Sequence, residues 1–85
     1  MRLDKYLKVS RIIKRRTIAK EVCESGKVYV NDKQAKPGTD VEAGDVIVIK
    51  YASKELKAKI TMIEEHTKKE KANLMYEIIE GEQSL

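Results

Sequence analysis

Lys14, Arg15 and Arg16 stand side by side just ahead of Ile18, Ala19, Val22 and Cys23, four apolar positions at the spacing of a helical face. A helix dipole favours anions at its amino end by roughly 0.3–1 kcal/mol each, so three cations there are repelled until an anion arrives. Unpaired amides at the helix start pull on the same anion, which makes phosphate the expected ligand. Arg2, Lys5, Lys8 and Arg11 precede the triplet, giving seven cations against one acid, Asp4, over residues 1–16. Guanidinium forks match phosphate oxygens, whereas lysine ammoniums act as mobile point charges. Arg2, Arg11 and Arg16 are therefore expected to fix position, with Lys5, Lys8, Lys14 and Lys20 adding affinity beside Arg15. Only 5% of the residues are aromatic, so phosphate and shape contacts should outweigh base stacking.

Charge is unevenly shared along the chain. Residues 1–36 carry eleven Lys or Arg against four Asp or Glu, a balance of +7, whereas residues 37–85 carry seven against ten, or −3. The total of +4 hides this polarity. It suits a polyanion, because counterion release supplies most of the sequence-independent affinity for nucleic acid. A membrane surface would need Trp, Phe or Leu opposite the cations; Trp and Phe are absent, and the helical apolar residues are needed for the core. At 85 residues with 38% charged, the chain makes one small domain with an aliphatic core and little room for an enzyme cleft. His66 has no partners at metal-ligand spacing, so neither a metal nor another cofactor is expected. Cys23 has no second cysteine to bridge and reads as a small core residue. No apolar run near the amino end resembles a signal peptide or membrane span, and a cytoplasmic home is expected.

The elements that would position the cations follow from spacing. Leu3, Tyr6 and Leu7 share one face of a helix of about two turns, from which Lys5 and Lys8 point away; Tyr6 is open between the core and the ligand surface. The second helix runs from Thr17, expected as its cap, to a left-handed stop at Gly26. The basic triplet thus lies in the connector and at the start of that helix. Val28 and Val30 alternate with Tyr29 ahead of "NDKQ", which reads as a strand entering a tight hairpin. "KPGTDVEAGD" forms an irregular loop around Val41, and "VIVIKY" is a strand with "LKAKITMIEE", where Leu56, Ala58, Ile60 and Met62 alternate, beside it. Ala72, Met75, Tyr76 and Ile79 fall at helical spacing, so a terminal helix of about three turns is expected before a frayed "GEQSL". Tyr29 and Tyr51 read as strand packing, and Asp4 as a partner for a nearby arginine.

Over residues 1 to about 49 the chain resembles the small RNA-binding domain first recognised in bacterial ribosomal protein S-four, the alpha-L motif. The resemblance rests on Arg2-Leu3-Asp4-Lys5 with Leu7, then Arg11, Arg16-Thr17 with Ala19, Gly26 followed by Val28, Val30 and Asn31, and finally Pro37, Val41 and Gly44-Asp45. It implies an α+β fold, two short amino-terminal helices packed on a small bent, mostly antiparallel sheet, with the short carboxyl-terminal helix added. It also implies that Arg2, Lys5, Lys8, Arg11, Lys14, Arg15, Arg16, Thr17 and Lys20 form an RNA-binding face. Residues 1–63 are then the RNA-binding domain and its sheet, and residues 64–85 an extension with a helix. The family commonly has Asn-Gly at the first hairpin; Asn31-Asp32 here implies a longer or differently shaped turn.

Among stand-alone bacterial members, the chain resembles the ribosome-quality-control branch that stabilises P-site tRNA more than the related fifteen-kilodalton heat-shock branch. That likeness implies binding to large-subunit ribosomal RNA and peptidyl-tRNA on split, stalled large ribosomal subunits. It also implies partnership with the elongation factor that adds a template-free alanine tail, and a monomer off the ribosome. The heat-shock branch implies instead ribosome recycling or large-subunit assembly. Other classes fit less well. Pseudouridine synthases and a tRNA synthetase carry the same domain, but nothing catalytic is left in this chain. A DNA-reading helix-turn-helix would need base-edge side chains that "IAKEVCES" does not offer. A constitutive ribosomal protein would be stoichiometric on every large subunit. Glu64, Glu65, Glu77, Glu80 and Glu82 either keep their side soluble or face a protein partner.

Overall fold

The computed structural model describes residues 1–64 and 69–80. Helix α1 (Leu3–Val9) buries Leu3, Tyr6 and Leu7, the face its spacing predicts. Its first amides are satisfied by a loop rather than by a capping side chain. Leu3 N–H donates to the Thr39 carbonyl at 2.8 Å and Asp4 N–H to the Pro37 carbonyl at 3.1 Å, while Lys5 N–H donates to Asp4 Oδ1 at 2.8 Å. The helix stops at Arg11, whose left-handed backbone (φ +61°) lets its amide donate to Lys8 O at 3.0 Å.

Helix α2 (Arg16–Glu24) buries Ala19 and Cys23 and half-buries Val22, then ends at Gly26 with φ +79°, as its sequence predicts. Two expectations fail at its amino end. Ile18 is 43% exposed rather than packed, because the buried stripe is only wide enough for Ala19, Val22 and Cys23. Thr17 is not the cap; Arg15, in extended backbone (φ −120°, ψ 133°), takes that place, and no side chain bonds the first amides.

Five antiparallel strands follow: β1 (Val28–Val30), β2 (Lys33–Gln34), β3 (Val46–Tyr51), β4 (Lys54–Ile60) and β5 (Tyr76–Glu80), in the spatial order β2-β1-β3-β4-β5. Alternation places Val28, Val30, Ile47, Ile49, Leu56 and Ile60 in one core with Leu3, Tyr6, Leu7, Ala19 and Cys23. The β1–β2 hairpin is tighter than Asn31-Asp32 suggests. Both residues adopt left-handed backbone (φ +50° and +69°), and Val30 pairs directly with Lys33. Asn31 is held there by its amide: Nδ2 donates to Asp45 Oδ1 at 3.0 Å, and Val46 N–H donates to Oδ1 at 3.0 Å. Those bonds offset the conformational cost that a glycine would avoid.

The terminal segment departs most from its sequence pattern. A 3₁₀ helix (Lys69–Met75) buries Ala72 and Met75, and the chain then extends as β5 along β4. Residues three apart share a side in a 3₁₀ helix as they nearly do in an α-helix, so Ala72 and Met75 fit either. Beyond Met75 the backbone pairing open at β4, and the adjacent Ile78 and Ile79, favour a strand. Glu65, His66, Glu82 and the expected frayed tail lie outside the described residues, as does the side chain of Tyr51.

Tyr6 resolves to the core. Its hydroxyl donates to the Met75 carbonyl at 2.7 Å, joining α1 to the end of the 3₁₀ helix, and burial, helped by Tyr76, raises its pKa. Tyr6→Phe is expected to lower stability by about 1 kcal/mol, since the carbonyl keeps only amide donors, read as a lower urea midpoint with an unchanged m-value.

Candidate nucleic-acid interface

The centre of the basic face is a buried acid. Asp4, fixed in the first turn of α1 by the 36–41 loop, has a side chain only 3% exposed. Arg2 grips it side-on, with Nε at 3.2 Å from Oδ1 and Nη2 at 3.3 Å from Oδ2. Arg16, the first residue of α2, brings Nη2 to 3.7 Å from Oδ1. A lone buried carboxylate would carry a large desolvation cost; two guanidiniums and the Lys5 amide offset it. Two arginines on one aspartate leave a net positive charge, and half of each arginine side chain remains in solvent (54% and 50% exposed).

Arg2, Asp4, Arg16, Thr17 and Lys20 line an open cleft of about 350 Å³. At its wall the amino end of α2 has no acidic residue in its first turn and no side-chain cap, and its first carbonyl-bonded amide is that of Ala19, which donates to Arg15 O at 3.0 Å. Dipole, amides and guanidiniums all favour an anion at this wall. The structure thus brings together four of the nine residues expected at the site, Arg2, Arg16, Thr17 and Lys20. Lys8, Arg11, Lys14 and Arg15 are exposed outside the cleft, and Lys5 is half-buried with a partner of its own. Ile18 had no signal as a surface residue, yet it lies exposed between Thr17 and Lys20. Among the described residues no His, Cys, Asp or Glu cluster could hold a metal, and no helix is long and apolar enough to cross a membrane.

Two helices whose arginines meet at a buried aspartate, packed on a five-stranded antiparallel sheet, make an α+β module with a cationic cleft, and residues 1–47 match the S4 domain: the chain belongs to the S4-domain family. It is similar over nearly its whole length to the RQC P-site tRNA stabilizing factor of Listeria monocytogenes, with 58% identity across 99% of this chain and 91% of the relative. Similarity to the Bacillus subtilis protein of the same name is 46%, across 96% of this chain and 95% of that one. In three dimensions the chain resembles the trimeric heat shock protein 15 of Vibrio cholerae, with a TM-score of 0.82, 33% identity, and coverage of 92% of this chain and 80% of that one.

Cys23 lies in the core beneath this face, where burial, with smaller contributions from Asp4 and Glu24, pushes its thiol from the ordinary 9.0 up to about 11. The folded chain therefore holds this proton after the unfolded chain has lost it. Stability should fall as pH rises from about 9 to about 11, and Cys23→Ala should flatten that part of the denaturation-midpoint profile. Arg11 is strained for the opposite reason, a bulky side chain in left-handed backbone. Arg11→Gly is expected to raise stability by roughly 1 kcal/mol, whereas a lower urea midpoint would assign the guanidinium a structural contact.

Proposed function

We propose that this chain is a non-enzymatic RNA-binding factor of ribosome quality control. It binds large-subunit ribosomal RNA and P-site peptidyl-tRNA on split, stalled large subunits, and so supports template-free addition of alanine by the tailing elongation factor. The observation that carries the RNA-binding part is the Asp4-centred pair of guanidiniums at the mouth of a cleft walled by an uncapped helix. Relatives named for stabilising P-site tRNA, similar from end to end, support the ribosomal setting and with it a cytoplasmic location.

Physically, the face needs little rearrangement to bind. Arg2 and Arg16 are already aimed, so their remaining N–H groups can fork onto phosphate without first losing rotamer freedom. Lys8, Arg11, Lys14 and Arg15 extend the positive field around the cleft and steer the approach. Recognition by phosphate and 2′-hydroxyl contacts reads RNA shape more than sequence. A second reading, ribosome recycling or large-subunit assembly, draws on the likeness to heat shock protein 15, which is lower in identity and covers less of the other chain.

Arg16→Ala should weaken binding to large-subunit RNA in a gel-shift series by roughly 1–2 kcal/mol, with a small fall in the urea midpoint because Asp4 loses its partner at 3.7 Å but keeps the Arg2 fork. For about five phosphates neutralised, affinity of the wild-type chain should fall with salt at a log–log slope of about −3 to −4. Sedimentation of cell extracts separates the two settings. Enrichment on large subunits that carry peptidyl-tRNA after induced stalling is expected; equal occupancy of all large subunits would overturn the quality-control assignment.

A further inference from the structure

Thr17 has a second chemistry open to it. Lys14 to Ile18 are five consecutive exposed residues, bracketed by buried Ile13 and Ala19, and Thr17 directly follows Lys14, Arg15 and Arg16. No other serine or threonine of the chain follows three cations. Its hydroxyl is also uncommitted, forming no hydrogen bond among the described residues, whereas Ser10 Oγ donates to Leu7 O at 3.3 Å, Ser25 Oγ to Val22 O at 2.7 Å and Thr61 Oγ1 to Leu74 O at 2.6 Å. Thr39 Oγ1 accepts from Lys36 N–H at 2.8 Å, and Ser53, free as well, follows Tyr51 and Ala52.

A free hydroxyl behind a run of cations is what a basophilic serine/threonine kinase reads, by setting its own carboxylates against the run. Such kinases take the acceptor segment extended. Arg15 already has extended backbone (φ −120°, ψ 133°), and opening Arg16, Thr17 and Ile18 from the first turn of α2 removes no side chain from the core. The acceptor can therefore be presented without unfolding the domain. A phosphate on Thr17 then stands in the cleft that this residue lines with Arg2, Arg16 and Lys20. Both guanidiniums meet Asp4 yet are half exposed, so their remaining N–H groups can fork onto phosphate oxygens. Lys20, three residues along the helix, is a side-chain neighbour of Thr17. Tethered beside these cations, the phosphate meets them at an effective concentration of roughly millimolar or above, and it competes there with any RNA phosphate. The formal charge of the chain also falls, from +4 to about +2.

We propose that Thr17 is a phosphorylation site, and that its phosphate seats on Arg2, Arg16 and Lys20 and closes the cleft to RNA. The proposal rests on the RNA-binding reading of the helical face and supplies its regulation. In the transfer, a bond forms between Thr17 Oγ1 and the γ-phosphorus of MgATP as the bond from that phosphorus to the β–γ bridging oxygen breaks. ADP leaves, and the hydroxyl proton passes through the kinase's base to solvent.

The test uses the full chain, MgATP and the catalytic subunit of cyclic-AMP-dependent kinase as a basophilic probe. Mass spectrometry should map the incorporated phosphate to Thr17; phosphate only at other residues, or none, would overturn the site. The phosphorus-31 resonance of the purified product then reports the seat. Guanidiniums favour the dianion, so the phosphate should titrate below its ordinary pKa of about 6 in the folded chain and return to it in urea. Equal titration in the folded and urea-unfolded chains would place the phosphate in open solvent and overturn the proposal, leaving the RNA-binding reading intact. In gel shifts with large-subunit RNA, the phosphorylated chain should bind roughly tenfold to a hundredfold more weakly, and phosphatase treatment should restore the affinity. A seated phosphate with unchanged RNA affinity would overturn the regulation and remove the cleft from the RNA-binding reading.

Discussion

The pairing of one buried carboxylate with two half-exposed guanidiniums organises the helical side of the molecule. Asp4 is reached by Arg2 from the residue just ahead of its own helix and by Arg16 from the next helix, so the relative placement of α1 and α2 is written into a single electrostatic cluster. The same turn of α1 is held by carbonyls of Pro37 and Thr39, which ties the loop before β3 into the cluster. A buried charge tolerates few alternative arrangements, because any that loses a partner exposes it to an uncompensated desolvation cost. The cluster therefore selects a geometry more than it adds net stability.

Around it, several local choices run against folding preference. Arginine occupies the left-handed stop of α1 where glycine would be relaxed, α2 begins with cations and no cap, and Ile18 is left in solvent. Each is a small cost that an unligated domain would shed by ordinary substitution. They fall within residues 11–18, the stretch that joins α1 to α2 and carries Lys14, Arg15 and Arg16.

Much of this was legible in the sequence. The period-3.6 stripe of Leu3, Tyr6 and Leu7, the glycine stop at 26 and the alternating β3 and β4 strands are dictated by burial, and burial leaves a periodic trace. The basic residues of the first helices could be named, but not which of them converge. That depends on Asp4 and on a loop some 35 residues further along the chain, and neither distance nor fork geometry has a local signature. The terminal segment misled because Ala72 and Met75 satisfy a 3₁₀ helix as well as an α-helix, and because β5 forms only once β4 offers an open edge.

The hydroxyl of Tyr6 finds its acceptor 69 residues away. A nascent chain emerging amino end first must therefore carry α1, with its arginines and lysines, through nearly all of synthesis before that helix is locked from behind. Until then α1 is held by the Pro37 and Thr39 carbonyls and by the Asp4 cluster alone among these bonds. One bond of the first-made helix thus waits for the opposite end of the chain.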